Sequence, residues 1–120
     1  MAEHGFLTTH ILDTAHGCPA EGVSIELYRL HGGERTLLAS VVTNDDGRTD
    51  APLIAKGDLQ AGTYELVFAM GAYFASKGVP ARAHPFIDVV PVRFGVDDPA
   101  SHYHVPLLAS PFSFSTYRGS

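Results

Sequence analysis

Three histidines in this chain fall inside stretches that alternate like β-strands, where β-branched or aromatic residues are the ordinary occupants. His10 stands in LTTHILD, and His102 and His104 form an i, i+2 pair in HYHVPLLA. An imidazole changes charge near neutral pH, so it suits proton transfer to and from water. Two imidazoles on one strand face can also chelate zinc, with a third to complete a catalytic site. No HExxH or CxxC pattern accompanies them, and the single cysteine, Cys18, lies in a turn-like stretch. Arg48 follows the turn NDDG, and its planar fork can bind a carbonyl or oxyanion at two points where a fold aims it into a pocket. On spacing alone, His10 reads first as a surface histidine bonded to a neighbouring strand, and Arg48 as a solvated turn residue. The sequence carries no GxSxG elbow, P-loop or GxGxxG, so serine-hydrolase and nucleotide readings lack support.

The elements that must position these groups are short and mostly of period two. Residues 6–13 put Leu7, Thr9 and Ile11 on one face and Thr8, His10 and Leu12 on the other. Further strands are expected over 23–30, 36–43, near 52–54, and over 63–68, 86–94 and 102–109, with SPFSFSTY as the last. HGGE and NDDG read as turns. AMGAYFASKG lacks the alternation and ends in Lys77-Gly78 with Pro80 beyond, which predicts one short helix at 70–77. Pro91 and Pro106 push their strands toward edges or bulges. Seven or eight strands and one helix indicate an all-β sandwich. In HYHVPLLA, Tyr103, Val105, Leu107 and Ala109 should line the core, with His102, His104, Pro106 and Leu108 facing outward. An outer face that mixes Leu12, Pro106 and Leu108 with histidines predicts burial by self-association.

Composition narrows the function classes. The 120 residues suit one domain, 1–120, with residues 1–4 expected to be flexible. A formal net charge of −5, with eight Lys and Arg, argues against nucleic acid as a partner. No apolar run approaches the roughly 20 residues of a membrane span. The start, MAEHGFLTTHILD, has no signal-peptide pattern, and one cysteine fits a reducing compartment, so a cytoplasmic location is expected.

Nearly the whole chain resembles the transthyretin-related family, in its enzyme branch, the 5-hydroxyisourate hydrolases. LTTHILDTAHGCPAEGV resembles the family's opening block, TNDDGRTD its Gly-Arg turn, and PFIDVVPVRFGV and HYHVPLLASPFSFSTYRGS its closing blocks. The final YRGS is the most specific, because it distinguishes the hydrolases from the hormone-carrying transthyretins. The resemblance implies a transthyretin-like (prealbumin-like) β-sandwich of two four-stranded sheets with one short helix. It implies a homotetramer of 222 symmetry, with sites at the dimer–dimer interface and neither metal nor organic cofactor. It also implies the ring-opening hydrolysis of 5-hydroxyisourate in urate breakdown. By the same resemblance, His10, Arg48, His104 and Ser120 are the catalytic set, with Tyr117, Arg118 and Gly119 completing a substrate cradle that His10 and Arg48 share. A carrier of the transthyretin type, binding a small molecule without turning it over, is the alternative. At the chain's end, Gly119 is expected to allow close approach to a ligand, and a carboxylate beyond it to raise the histidines' proton affinity.

Overall fold

The computed structural model describes His4–Gly119; Met1–Glu3 and Ser120, with the expectations attached to them, lie outside the described residues. Strands β1 (Phe6–Thr8), β2 (Ile11–Asp13) and β3 (Cys18–Pro19) precede the hairpin of β4 (Ser24–His31) and β5 (Glu34–Val42). Gly32 and Gly33 make its turn with φ of 58° and 86°. A two-residue turn with both φ positive matches the twist of the strands it joins, and glycine adopts it without strain. Strand β6 (Gly62–Ala69) runs into helix α1 (Met70–Ser76), followed by β7 (Val89–Val96). The order β5-β4-β6-β7 makes one antiparallel sheet. Its inward positions, among them Ile25, Leu27, Tyr64, Leu66, Phe68 and Val90, are buried. Each such large apolar side chain contributes roughly 1.5–3 kcal/mol.

The second layer carries the histidines. Strand β1 lies parallel to β8 (His102–His104), and β2 parallel to β9 (Leu107–Ser110). Strand β10 (Ser113–Thr116) and β3 flank them in the order β10-β9-β2-β3. The expected strands 6–13 and 102–109 are therefore each broken once, at the same level. Pro106 has no N–H to give the ladder, and the Thr9 hydroxyl donates to the Val105 carbonyl at 2.7 Å. The backbone carries on across the break through Val105 N–H to Thr8 O, 3.0 Å, and Leu107 N–H to His10 O, 2.9 Å. Inside-outside parity survives it. Leu7, Thr9, Ile11 and Asp13 are buried, as are Tyr103, Val105, Leu107 and Ala109. His10, Leu12, His104 and Leu108 are half-buried. Pro106 departs from its expected outward position and is buried, its carbonyl accepting from the Thr116 hydroxyl at 2.7 Å.

Four other expectations shift. Residues 52–54 form no strand, although the Leu7 N–H reaches the Ile54 carbonyl at 3.1 Å. The strand expected from 86 starts at Val89, and Cys18–Pro19, read as a turn, pairs with β2. The helix ends one residue before the predicted boundary, with Gly78 at φ 87° after it.

Helix α1 buries Met70, Tyr73 and Phe74. The Tyr73 hydroxyl donates to Asp13 Oδ2 at 2.8 Å, which ties the helix to β2. Asp13 also accepts from the backbone N–H groups of Ala15 and His16 at 3.0 Å and from the His16 ring at 2.6 Å. Burial alone would raise this carboxyl, but the hydrogen bonds from Tyr73 and His16 outweigh it and hold it below the usual carboxylate range. A carboxyl lowered in the native state contributes stability above its unfolded value of about 3.9, and that stability is lost as pH falls through the native value. Asp13→Ala should cost about 2–3 kcal/mol in urea unfolding, because it leaves the Tyr73 hydroxyl without a buried acceptor. The deficit should shrink as pH falls through the lowered native value of Asp13, where the wild-type carboxylate takes up its proton.

Candidate active site

The parallel register sets Thr8 directly beside His104 and Phe6 beside His102. Thr8, His102 and His104 alternate onto the same face of this strand pair. The Thr8 hydroxyl lies 2.7 Å from His102 Nε2 and 2.7 Å from His104 Nδ1. The His102 ring stacks on Phe6, with centroids 3.9 Å apart and planes 5° from parallel. His104 Nε2 makes no hydrogen bond to any described residue. One nitrogen of each ring is thus turned onto the same hydroxyl. Among the described residues, no three His, Cys, Asp or Glu side chains converge as a ligand set.

The turn after β5 supplies the cation. Asn44 closes it, its Oδ1 accepting from the N–H of Asp46 at 2.9 Å and of Arg48 at 3.2 Å. Gly47, at φ 74°, presses against β2: a Cβ there would lie 2.4 Å from the Ile11 carbonyl oxygen, and Ile11 N–H donates to Gly47 O at 2.8 Å. Only glycine permits that approach. The contact fixes Arg48 next to the break in the first strand, where His10 emerges. Arg48, Thr49, Asp50, Thr8, His102 and His104 line an open cleft of about 440 Å³.

The chain's last described residues close the other side of His104. Gly119 forms an isolated antiparallel bridge with His104, its N–H donating to the His104 carbonyl at 2.7 Å. A Cβ on Gly119 would sit 2.8 Å from His104 Cδ2. Arg118 turns away, its guanidinium 4.0 Å from the centre of the Tyr103 ring and one N–H donating to the His102 carbonyl at 3.4 Å. With Tyr117, which is exposed, it borders a separate hollow against Phe94 and Val105.

All three imidazoles titrate below the ordinary histidine value. For His104 the causes are burial, then the charge of Arg48, then His102 and His10. For His10 they are burial and Arg48, opposed by the Asp46 backbone carbonyl and carboxylate. For His102 they are burial, Arg118 and Lys56. The site therefore holds neutral imidazoles beside a fixed guanidinium, ready to accept protons at neutral pH. The expected opposing effect of a carboxylate at Ser120 lies outside the described residues.

Of the residues picked out from the sequence, the structure brings Arg48, His104, His10 and Gly119 together. It places Tyr117 and Arg118 at the neighbouring hollow. Sequence reasoning gave no role to Thr8, although its parity with His10 was readable; what it lacked was the parallel register that sets Thr8 opposite HYH. No helix among the described residues is long and apolar enough to cross a membrane.

Comparison with known proteins gives a consistent result. Residues 7–119 match the model of the HIUase/Transthyretin family. A protein of Rhizobium meliloti (strain 1021) called 5-hydroxyisourate hydrolase 2 is 56% identical over 120 residues, covering all of both chains. The crystal structure of an (S)-allantoin synthase is 54% identical with a TM-score of 0.92; the match covers 98% of this chain but only 44% of that one. The structure of sea bream transthyretin in complex with thyroxine is 32% identical with a TM-score of 0.82, covering 94% of this chain and 93% of that one. The chain belongs to the HIUase/Transthyretin family.

Proposed function

We propose that this chain is a 5-hydroxyisourate hydrolase and that its cleft opens the substrate ring by attack of water on an acyl C–N bond. The observation that carries this reading is His104 Nε2, free of described partners, on a neutral imidazole beside Arg48. His104, assisted by His10, takes a proton from the attacking water and returns one to the leaving nitrogen. Arg48 binds the carbonyl oxygens and stabilises the anionic tetrahedral intermediate, a contribution of about 3–4 kcal/mol for a well-placed donor. Gly119 brings backbone within reach of the substrate, and Ser120 orients the water or the imidazole. The product is 2-oxo-4-hydroxy-4-carboxy-5-ureidoimidazoline, and the step belongs to urate breakdown in the cytoplasm.

The working form in this reading is a homotetramer with sites at the dimer–dimer interface, where Tyr117 and Arg118 complete the cradle. Its support is the amount of aromatic surface around the β10 edge: Phe112, Phe114 and Tyr117 are 65%, 45% and 59% exposed in the single chain. Strand β10 also presents an unpaired edge at the end of its sheet. A carrier has no need of imidazoles held below the ordinary histidine value beside a guanidinium, which favours catalysis over simple binding.

The test is to generate 5-hydroxyisourate from urate and follow its decay with and without the protein. Wild type should outpace spontaneous decay by orders of magnitude, with His104→Ala losing about 10²–10⁴-fold in kcat. Decay at the spontaneous rate in the presence of folded wild type would end the hydrolase reading. Arg48→Ala should lose about 10²–10³-fold, and Arg48→Lys should recover little of it, since a point charge cannot replace the fork. Gly119→Ala should push the His104 ring aside, lowering kcat severalfold while the melting temperature stays within a few degrees of wild type.

A further inference from the structure

A hydroxyl carries one hydrogen, and that of Thr8 stands 2.7 Å from a ring nitrogen of each of two histidines. It cannot donate to both, and it has no other acceptor among the described residues, so it donates to one imidazole and accepts from the other. The two arrangements leave different groups facing the cleft. If Thr8 donates to His104 Nδ1, the hydrogen of a neutral His104 sits on Nε2, and that nitrogen cannot take a proton from water. If Thr8 donates to His102 Nε2, His104 Nδ1 carries the hydrogen and its Nε2 lone pair is open. Once His104 holds a second proton only the latter direction survives, because both its nitrogens are then donors.

We propose that Thr8, backed by His102, is a positioning pair that fixes the tautomer of His104, holding Nδ1 as the N–H and Nε2 as the lone pair that faces the cleft. The inference rests on the reading of His104 as the general base and adds the residues that set its working form. His102 suits the accepting end because its surroundings keep it neutral. The Lys56 ammonium and the Arg118 guanidinium both disfavour a proton on it, and it is packed flat on Phe6. His104 faces Arg48, His10 and His102, and among the described residues its Nδ1 is hydrogen-bonded to Thr8 alone. The acidic side chain on the cleft wall is Asp50, whose carboxylate accepts from the Asn44 amide at 3.0 Å. Neither Thr8 nor His102 touches the water in this scheme; they act through His104.

Long-range proton–nitrogen NMR of the imidazole rings reads the tautomer directly, about one pH unit above the ordinary histidine value of about 6.5. Wild type should show His104 as the Nδ1–H form. Thr8→Val, which keeps the branched shape of the strand residue, should shift His104 toward the Nε2–H form. His102→Phe, which keeps a ring against Phe6 but removes the acceptor behind Thr8, should do the same. Both variants should lose about tenfold in kcat, part of the ~10²–10⁴-fold that a positioned acid–base group supplies, with KM within about twofold of wild type. Thr8→Ser should restore both tautomer and kcat. An Nε2–H His104 in wild type, or wild-type kcat in folded Thr8→Val, would overturn the proposal. Failure of wild type to hydrolyse 5-hydroxyisourate would instead overturn the hydrolase reading, while the tautomer measurement would still decide whether Thr8 sets the ring.

Discussion

The parallel pairing of the chain's beginning with its penultimate segment is the contact on which the site depends. Phe6–Thr8 lies beside His102–His104, and Ile11–Asp13 beside Leu107–Ala109. The paired residues are 96 apart in sequence, so closing this ladder costs loop entropy that local contacts do not repay. The buried row of Leu7, Ile11, Tyr103, Val105 and Leu107 offsets that cost. Thr8, His10 and the two histidines of HYH lie on the opposite face of the same ladder. Its register decides that Thr8 meets both histidines, and its break decides that His10 emerges beside Arg48. A shift by one residue would send the histidines into the core.

Two glycines set how closely other segments can approach that face. Gly47 lets the Arg48 turn lean on the Ile11 carbonyl, and Gly119 lets the end of the chain lie against the His104 ring. The charges follow from these placements. A guanidinium fixed beside half-buried imidazoles holds them neutral, so proton acceptors exist at neutral pH where free histidines would be partly protonated. Asp13, on the inward side of the same strand, shows the reverse: donors around a buried carboxylate keep it charged and make it a structural tie to the helix.

Much of this was legible in the sequence because period two is a strong signal. It gave the sandwich, the helix, the hairpin turn at HGGE, the turn at NDDG and the sidedness of His10, His104 and the apolar rows. It did not give the break at Thr9–His10 and Val105–Pro106, which depends on how a proline and a threonine hydroxyl meet across two distant strands. Pro106 illustrates the limit. Parity sends it outward, yet the Thr116 hydroxyl and the covering strand bury it. Arg48 read from its turn alone as a solvated residue and gained a role only from the family resemblance; its aim depends on Gly47 packing against β2. Tyr117 and Arg118 stood next to Gly119 in the motif, and the strand geometry sends them to a different hollow from the one that His104 lines. Thr8 had no signal of its own, since a threonine in a strand is ordinary; only the register across 96 positions gives it a role.

The central claim is that a neutral imidazole, kept so by burial and Arg48, activates water in this cleft. The dependence of kcat/KM on pH for 5-hydroxyisourate tests it most directly, because it reports the ionisation of the free protein's essential base. Activity should rise with pH along a limb centred below the ordinary histidine value of about 6.5 and then level off. Replacing Arg48 by Ala should move the limb to higher pH in whatever activity remains. A rate that falls as pH rises through that range, or a limb centred above the ordinary histidine value, would contradict the account.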